Sequence, residues 1–133
     1  MKKNVLITGA AKRIGAQCAR VLHATGCNLF LHYRSSKQEV LQLYDELNEV
    51  RPGSARIIQA DLLKMDELSR MVDDIKLTWG RLDVLINNAS AFYPQQIGSV
   101  TEREWDDLMG SNLKAPFFLS QKFSELLAVN EGC

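Results

Sequence analysis

Four short apolar runs, at residues 5–8, 29–31, 56–60 and 84–86, are separated by longer segments in which apolar residues recur every three or four positions. The first run, Val-Leu-Ile-Thr, lacks polar alternation, which is typical of a strand buried on both faces of a parallel sheet. The longer segments have the spacing of helices with one apolar side. The pattern therefore predicts the order β-α-β-α-β-α-β-α.

The predicted helices have recognisable boundaries. Gly26 and Gly80 end the first and third, because glycine readily adopts the backbone conformation that follows a helix. Thr101 and Glu104 have the spacing of a capping box, which begins the fourth. The apolar stripes are Ile14, Cys18, Val21 and Leu22; Val40, Leu41, Tyr44 and Leu47; Met65, Leu68, Val72, Ile75 and Trp79; and Trp105, Leu108, Met109, Phe118 and Leu119.

Strict alternation of strands and helices implies a parallel sheet with right-handed crossovers. We expect one α/β domain over residues 1–133: a Rossmann-type doubly wound parallel sheet that is incomplete, with about four strands in the order 3-2-1-4. Ligands of such sheets bind at the carboxyl ends of the strands. The chemistry is therefore expected in the loops that follow each strand.

Composition excludes several classes of protein. The chain has 133 residues, 46% hydrophobic and 24% charged, as in an ordinary globular domain. A formal net charge of zero gives no support to nucleic-acid binding. Three cysteines, Cys18, Cys27 and Cys133, have no close spacing, which predicts reduced thiols in a cytoplasmic protein and no metal site. The apolar run after Asn4 is too short for a signal peptide or a membrane span.

The turn after the first strand, Thr-Gly-Ala-Ala-Lys-Arg-Ile-Gly at residues 8–15, has the composition of a phosphate-binding turn. Gly9 suits the tight turn and Gly15 suits close packing of the helix that follows. The start of that helix offers free N–H groups and the positive end of its dipole to a phosphate. Lys12 and Arg13 indicate a ligand with more negative charge than a pyrophosphate alone. A purely structural turn is the alternative.

The end of the second strand favours NADP over NAD. Proteins that bind NAD usually have an acidic residue there, which holds the ribose hydroxyls. This chain has Arg34 instead, flanked by His32, Ser35 and Ser36, and a guanidinium beside hydroxyls suits a 2′-phosphate. The alternative for Arg34 is a solvated loop residue. Asp61, after the third strand, is either a turn cap or a hydrogen-bond acceptor for the adenine edge.

These motifs, together with Asp61-Leu62 and Asn-Asn-Ala-Ser at residues 87–90, resemble the short-chain dehydrogenase/reductase family over nearly the whole chain. The family pattern has glycine where this chain has Arg13, and Asn-Ala-Gly where it has Asn-Ala-Ser. Those departures, with residues 32–35 and 92–94, are similar to the pteridine reductase branch. That branch uses NADPH to reduce pterin rings, which implies a pterin or folate as the small-molecule substrate.

The resemblance implies a role for each matching position. Gly9, Lys12 and Gly15 belong to the phosphate turn, and Phe92 stacks a pterin against the nicotinamide. Without the resemblance, core packing is the simpler interpretation of Phe92. The other implied cofactor contacts are Arg13, Ile14, Tyr33, Arg34 and Ser35 at the adenosine phosphate, Asp61 and Leu62 at adenine, and Asn88, Ala89 and Ser90 along the ribose and nicotinamide.

Asn112 lies on the predicted apolar stripe of the last helix, where a polar residue needs a partner. Pro116 has no N–H, so the carbonyl of Asn112 loses its helical partner and the helix is expected to kink. The resemblance implies that this asparagine holds a water of a proton relay, which makes Asn112 the predicted catalytic residue. A simple bend with a satisfied buried amide is the alternative.

In the family, this helix is followed by a fifth strand, a catalytic Ser or Asp, and Tyr-x-x-x-Lys. No such segment follows the helix here, since the last tyrosine is Tyr93. We therefore expect the amino-terminal part of a longer reductase, inactive alone, with an exposed fourth strand that promotes association. The resemblance also implies a homo-oligomer, often a tetramer. The alternatives are a carbonyl reductase similar to 3-oxoacyl-acyl-carrier-protein reductases and a non-catalytic nucleotide-binding module.

Overall fold

A computed structural model describes residues 2–129 and 131–132 of the chain. Within these residues four parallel strands form one sheet in the order β3-β2-β1-β4. Val5 of β1 lies opposite Leu29 of β2 on one side and Val84 of β4 on the other. The predicted α/β architecture and strand order are confirmed. The strands are β1 (Asn4–Ile7), β2 (Asn28–Tyr33), β3 (Ala55–Gln59) and β4 (Val84–Ile86).

Helices cover both faces of the sheet, as expected for a doubly wound fold. Leu6 and Phe30 face a core made with α3 and α5, whereas Val5 and Leu29 face a core made with α1 and α2. Neighbouring residues of one strand therefore enter different cores, which explains the lack of polar alternation. The helices are α1 (Arg13–Ala24), α2 (Lys37–Val50), α3 (Met65–Trp79), α4 (Glu102–Met109) and α5 (Ala115–Val129), with a π-helical segment, Gly110–Lys114, joining the last two.

The prediction for the buried face of α1 is wrong in part. Ile14 and Val21 are 72% and 54% exposed, and Cys18 and Leu22 are only partly buried. The buried positions are Gly15, Ala16, Ala19 and His23. Small side chains let the helix backbone approach the sheet closely, so the largest apolar residues do not mark the contact face.

The last helix begins and changes geometry where expected. Thr101 and Glu104 form the predicted capping box at the start of α4. Ahead of Pro116 the chain leaves α-helical geometry, and the N–H of Ala115 donates to the carbonyl of Gly110, five residues back. No residue of α4, whose positions are all described, is buried. Trp105 and Met109 of the predicted stripe therefore face outward, because no element of the described chain covers that side of α4. The rest of the prediction holds further along, since Leu119 is buried in the core and Phe118 packs against it.

Two further expectations concern the surface. Strand β4 lies at one edge of the sheet, as predicted. Cys18 and Cys27 are free and partly buried, whereas Cys133 lies outside the described residues. No helix in the described part of the chain is both long and apolar enough to cross a membrane.

Candidate functional site

The loops after β1 and β4 are joined through Thr8. Its hydroxyl oxygen accepts the N–H groups of Asn88 and Ala89 at 3.0 and 2.9 Å. The side-chain amide nitrogen (Nδ2) of Asn88 donates to the backbone carbonyls of Thr8 and Gly9 at 2.9 and 3.1 Å. The hydroxyl also lies 3.3 Å from the carbonyl of Ile86, to which it donates. These bonds hold the phosphate turn (residues 8–15) against the start of the loop after β4.

Both glycines of the phosphate turn are required by geometry. Gly9 has φ of +64°, and an added Cβ would lie 2.9 Å from the Cα of Ala89. A Cβ on Gly15 would lie 2.2 Å from the carbonyl oxygen of Gly9 and 2.7 Å from the amide nitrogen of Asn88. The expectation of a tight turn followed by a closely packed helix is confirmed, and the surface packed by Gly15 is the turn itself.

The beginning of α1 has the properties of an anion site. Lys12 is the N-cap residue but makes no capping bond with its side chain, and no acidic residue occupies the first turn, within the part of the chain that is described. The first amides of a helix have no partner inside it and carry the positive end of its dipole. The ammonium of Lys12 lies 2.7 Å from the carboxylate of Glu39, which lowers the pKa of that carboxyl group.

Arg13 occupies a strained position. Its φ is +50°, in the left-handed region, where a non-glycine residue costs about 1–2 kcal/mol. Glycine stands at this position in the family pattern that the chain resembles. Strain of this kind persists where a side chain has a function or is held by its surroundings.

Arg34 and Asp61 form an ion pair across the ends of β2 and β3. A guanidinium nitrogen of Arg34 lies 3.3 Å from a carboxylate oxygen of Asp61, and the Arg34 side chain is 60% exposed. The other Asp61 oxygen accepts the N–H of Leu63 at 3.1 Å. The turn-cap interpretation of Asp61 is therefore confirmed, while its contact with adenine stays a prediction.

The sequence indicated His32 only as a neighbour of Arg34, but the structure gives this residue a larger role. It is 2% exposed. Its Nδ1 accepts the N–H of Gly9 at 3.1 Å, and its Nε2 lies 3.0 Å from the carbonyl of Ala60. The one signal in the sequence is a polar residue at the end of an otherwise apolar strand.

One open cavity of about 440 Å³ connects the strand ends. Its walls come from the phosphate turn, the ends of β2 and β3, and the loop after β4. All the predicted cofactor-binding residues line it: Gly9, Lys12, Arg13, Ile14, Gly15, Tyr33, Arg34, Ser35, Asp61, Leu62, Asn88, Ala89 and Ser90. Among the described residues, no group of three or more His, Cys, Asp or Glu is arranged to hold a metal ion.

Asn112 is exposed and not on a buried face, so that part of its prediction is wrong. The reason is that the outer side of the π-helical segment has no covering element in the described chain. Its side-chain oxygen accepts the N–H of Ala91 at 3.1 Å, and its side-chain nitrogen donates to the carbonyl of Ala91 at 2.8 Å. The side chain fixes the loop after β4, and the role of Asn112 in a proton relay stays a prediction.

Phe92 is 88% exposed, so core packing is the wrong interpretation of this residue. The loop that carries it is fixed on both sides. Asn112 holds Ala91, and the hydroxyl of Tyr93 lies 3.1 Å from a carboxylate oxygen of Asp107 in α4. The aromatic ring of Phe92 is therefore presented to solvent from a tethered loop.

The spacing Tyr-x-x-x-Lys does occur in the chain, at Tyr33 and Lys37. Tyr33 is 6% exposed at the end of β2, and Lys37 is the first residue of α2. Tyr33 lines the cavity beside Arg34, whereas Lys37 is not among the residues that line it. Their place does not match that of the catalytic pair, which follows the last helix in the family.

Comparison with known proteins agrees with this geometry. A profile described as short chain dehydrogenase matches residues 3–132. Pteridine reductase 1 of Leishmania tarentolae is 38% identical over 154 residues, covering 92% of this chain and 53% of the relative. A 3-oxoacyl-(acyl-carrier-protein) reductase of Staphylococcus epidermidis is 34% identical over 122 residues, covering 92% and 50%. A short-chain dehydrogenase/reductase of Pestalotiopsis microspora is 32% identical over 130 residues, covering 98% and 48%.

The chain therefore belongs to the short chain dehydrogenase family, whose members are oxidoreductases that depend on a nicotinamide cofactor. It spans about half the length of the curated relatives it matches. The matched part of the pteridine reductase is its amino-terminal half.

Proposed function

We propose that this chain is the NADPH-binding, amino-terminal part of a pteridine reductase, which transfers a hydride from the nicotinamide to a dihydropterin or dihydrofolate. The observation that carries the proposal is the place of Arg34. It lies in the cavity at the strand end where NAD-binding proteins have an acidic residue. Lys12, Arg13 and Ser35 line the same cavity and add the charge and hydroxyl that suit a phosphate.

The fit of the cofactor follows from the walls of the cavity. The uncapped N-terminus of α1 suits the pyrophosphate, because helix-start N–H groups favour anions. Arg34 and Ser35 suit the 2′-phosphate, and Asp61 and Leu62 flank adenine. The loop over residues 88–90 receives the ribose and nicotinamide, where the cofactor supplies the hydride. Tethering of that loop by Asn112 fixes this end of the cavity.

Nucleotide titration of the chain tests the cofactor. We expect NADP⁺ to bind more tightly than NAD⁺. Arg34→Ala should weaken the binding of NADP⁺ about 10- to 100-fold, a factor that corresponds to about 1.5–3 kcal/mol for hydrogen bonds to a charged group. The affinity for NAD⁺ should stay nearly unchanged. Arg20→Ala is the matched control, because Arg20 is an exposed arginine paired with Glu46 and is not among the residues that line the cavity. An equal loss of affinity for NADP⁺ and NAD⁺ in Arg34→Ala would contradict the proposal.

The pterin is the finer part of the proposal. It is supported by the relative named pteridine reductase 1. Phe92, the residue expected to stack on the pterin, is exposed and is not among the residues that line the cavity. A carbonyl substrate is the second candidate, because the next relative is a 3-oxoacyl-(acyl-carrier-protein) reductase at 34% identity. Competition by an antifolate in a turnover assay of a longer protein that includes Tyr-x-x-x-Lys after α5 separates the two.

We propose that residues 1–133 alone bind nucleotide without turnover, because no tyrosine and lysine with the catalytic spacing lie at the nicotinamide end. A non-catalytic nucleotide-binding module behaves in the same way. The longer protein distinguishes them, since only the reductase oxidises NADPH when pterin is added. Pterin-dependent NADPH oxidation by the 133-residue chain would overturn this part of the proposal.

We also propose that the protein is a cytoplasmic homo-oligomer, a tetramer by its resemblance to the family. Support comes from four exposed apolar side chains spaced four residues apart from α4 through the π-helical segment into α5: Trp105, Met109, Leu113 and Phe117, of which all but Met109 are 60% exposed. Residues at this spacing share one side of a helix. Sedimentation of Leu113→Lys against wild type tests whether a second copy covers this stripe.

A further inference from the structure

The side chain of His32 has only one state that satisfies both of its neighbours. The Gly9 N–H donates to Nδ1 at 3.1 Å, so Nδ1 must carry a lone pair. The carbonyl of Ala60, 3.0 Å from Nε2, can only accept, so Nε2 must carry the proton. The neutral Nε2–H tautomer is therefore required, and a second proton on Nδ1 would face the Gly9 N–H, donor against donor.

His32 also controls the next amide of the phosphate turn. Its backbone carbonyl accepts the N–H of Ala10 at 2.8 Å. One buried residue of β2 thus binds the first two N–H groups after Thr8. The amides at the start of α1 have no partner inside the helix, and their position depends on where His32 holds the turn.

We infer that His32 is a positioning residue for the nucleotide: its neutral imidazole fixes the phosphate turn for the pyrophosphate, and protonation of His32 releases the turn and weakens binding. This inference rests on the proposed function of the cavity. The ring spans from the turn to the end of β3, so its release changes the relative position of two walls of the site.

The surroundings of His32 shift its pKa in opposite directions. Burial lowers the pKa of His32, while the hydrogen bond to Ala60 and the charge of Asp61 oppose this shift, and the net pKa lies below the ordinary value. Two neighbouring cations already have a carboxylate partner: Lys12 pairs with Glu39, and Arg34 pairs with Asp61. The charged residues around the shared cavity are Lys12 and Arg13 from the turn, Arg34 from the end of β2 and Asp61 from the end of β3.

Nitrogen NMR of the unliganded chain is the first test. The sequence has two histidines, so the imidazole signals are few and assignable. We expect His32 as the Nε2–H tautomer near neutral pH, and the Gly9 amide signal to move with the same midpoint as the imidazole when pH falls. An Nδ1–H tautomer, or a Gly9 amide that does not follow the imidazole, would overturn the inference.

The second test is NADP⁺ affinity between about pH 7.5 and about pH 4.5, a range that begins above the ordinary histidine pKa and extends well below it, because burial lowers the pKa of His32. His32→Asn keeps an acceptor near Nδ1 but cannot titrate. Affinity of the wild type should fall about three- to tenfold more than that of His32→Asn, the factor for one lost hydrogen bond. Titration of the 2′-phosphate is common to both proteins and cancels in the ratio.

His23→Asn is the matched control. His23 is also buried, at 4% exposure, and burial lowers its pKa. Its Nε2 bonds Ser54 at 2.6 Å, and it is not among the residues that line the cavity, so this variant should keep the wild-type pH profile. Parallel profiles for wild type and His32→Asn, or tighter wild-type binding at low pH, would refute the inference. Failure of the wild type to bind nucleotide at any pH would refute the proposed function. If a variant does not fold, the NMR titration of the wild type still tests the link from His32 to the phosphate turn.

Discussion

Gly15→Ala places one methyl group where the phosphate turn packs on α1. The new Cβ would lie 2.2 Å from the Gly9 carbonyl oxygen, 2.7 Å from the Asn88 amide nitrogen and 3.0 Å from the Cα of Ala10. Two of these three atoms belong to the backbone, so relief requires movement of the turn itself. Overpacking of this kind costs about 1–3 kcal/mol, and displacement of the Asn88 amide costs about another 1 kcal/mol.

Alanine also favours the helix by at most about 1 kcal/mol over glycine. The net effect of Gly15→Ala on the free energy of unfolding is therefore a loss of about 1–3 kcal/mol. Gly110→Ala is the matched control, because its Cβ would meet the end of the flexible Leu63 side chain, with Cδ2 at 2.6 Å. Leu63 can rotate away, so Gly110→Ala should change the free energy of unfolding by less than about 1 kcal/mol.

Urea unfolding followed by far-ultraviolet circular dichroism measures both variants against wild type. We expect the midpoint of Gly15→Ala to fall clearly and that of Gly110→Ala to stay close to wild type. Gly15→Ala should also lose NADP⁺ binding, since its turn has moved. A Gly15→Ala protein that is as stable as wild type and binds nucleotide normally would refute the packing described for the phosphate turn.

Three further variants or conditions test other parts of the structure. Thr8→Val removes the acceptor of the N–H groups of residues 88 and 89 and should cost about 2–3 kcal/mol in urea unfolding; an unchanged midpoint would exclude the proposed link between the two loops. The pKa values of His23 and His32 are lowered in the fold, so the unfolded chain binds protons more readily than the folded one. The free energy of unfolding should therefore be highest above about pH 6.5 and decrease as the pH falls below it. A free energy of unfolding that rises on acidification through this range would contradict the lowered pKa of both histidines. Thr101→Ala breaks the capping box of α4 and should lower stability by about 1 kcal/mol, which an unaltered thermal midpoint would disprove.

The strands and the cavity were predictable because their signals are local. Gly9 and Gly15 follow a strand within a few residues, and Arg34 comes directly after the second strand. Each of these predictions depends on the residue and its immediate neighbours in the chain. Parallel pairing then brings the strand ends together without further information from side chains.

The features that were missed or mispredicted depend on contacts distant in sequence. The role of His32 requires the carbonyl of Ala60, 28 residues away, to lie beside the end of β2. The orientation of Asn112 depends on which element covers the outer side of the π-helical segment. For α1, apolar spacing indicated Ile14, but the contact face consists of small residues such as Ala16 and Ala19, which hydrophobicity alone ranks too low.

In the proposed site, loops from four strand ends together bind one nucleotide. Amide chemical-shift mapping with NADP⁺ and with NAD⁺ shows which residues contact it. We expect NADP⁺ shifts concentrated in residues 9–15, 33–35, 61–62 and 88–90, with the shifts at residues 33–35 much reduced for NAD⁺. Shifts that are absent from these loops, or that are the same at residues 33–35 for both nucleotides, would contradict the proposed site.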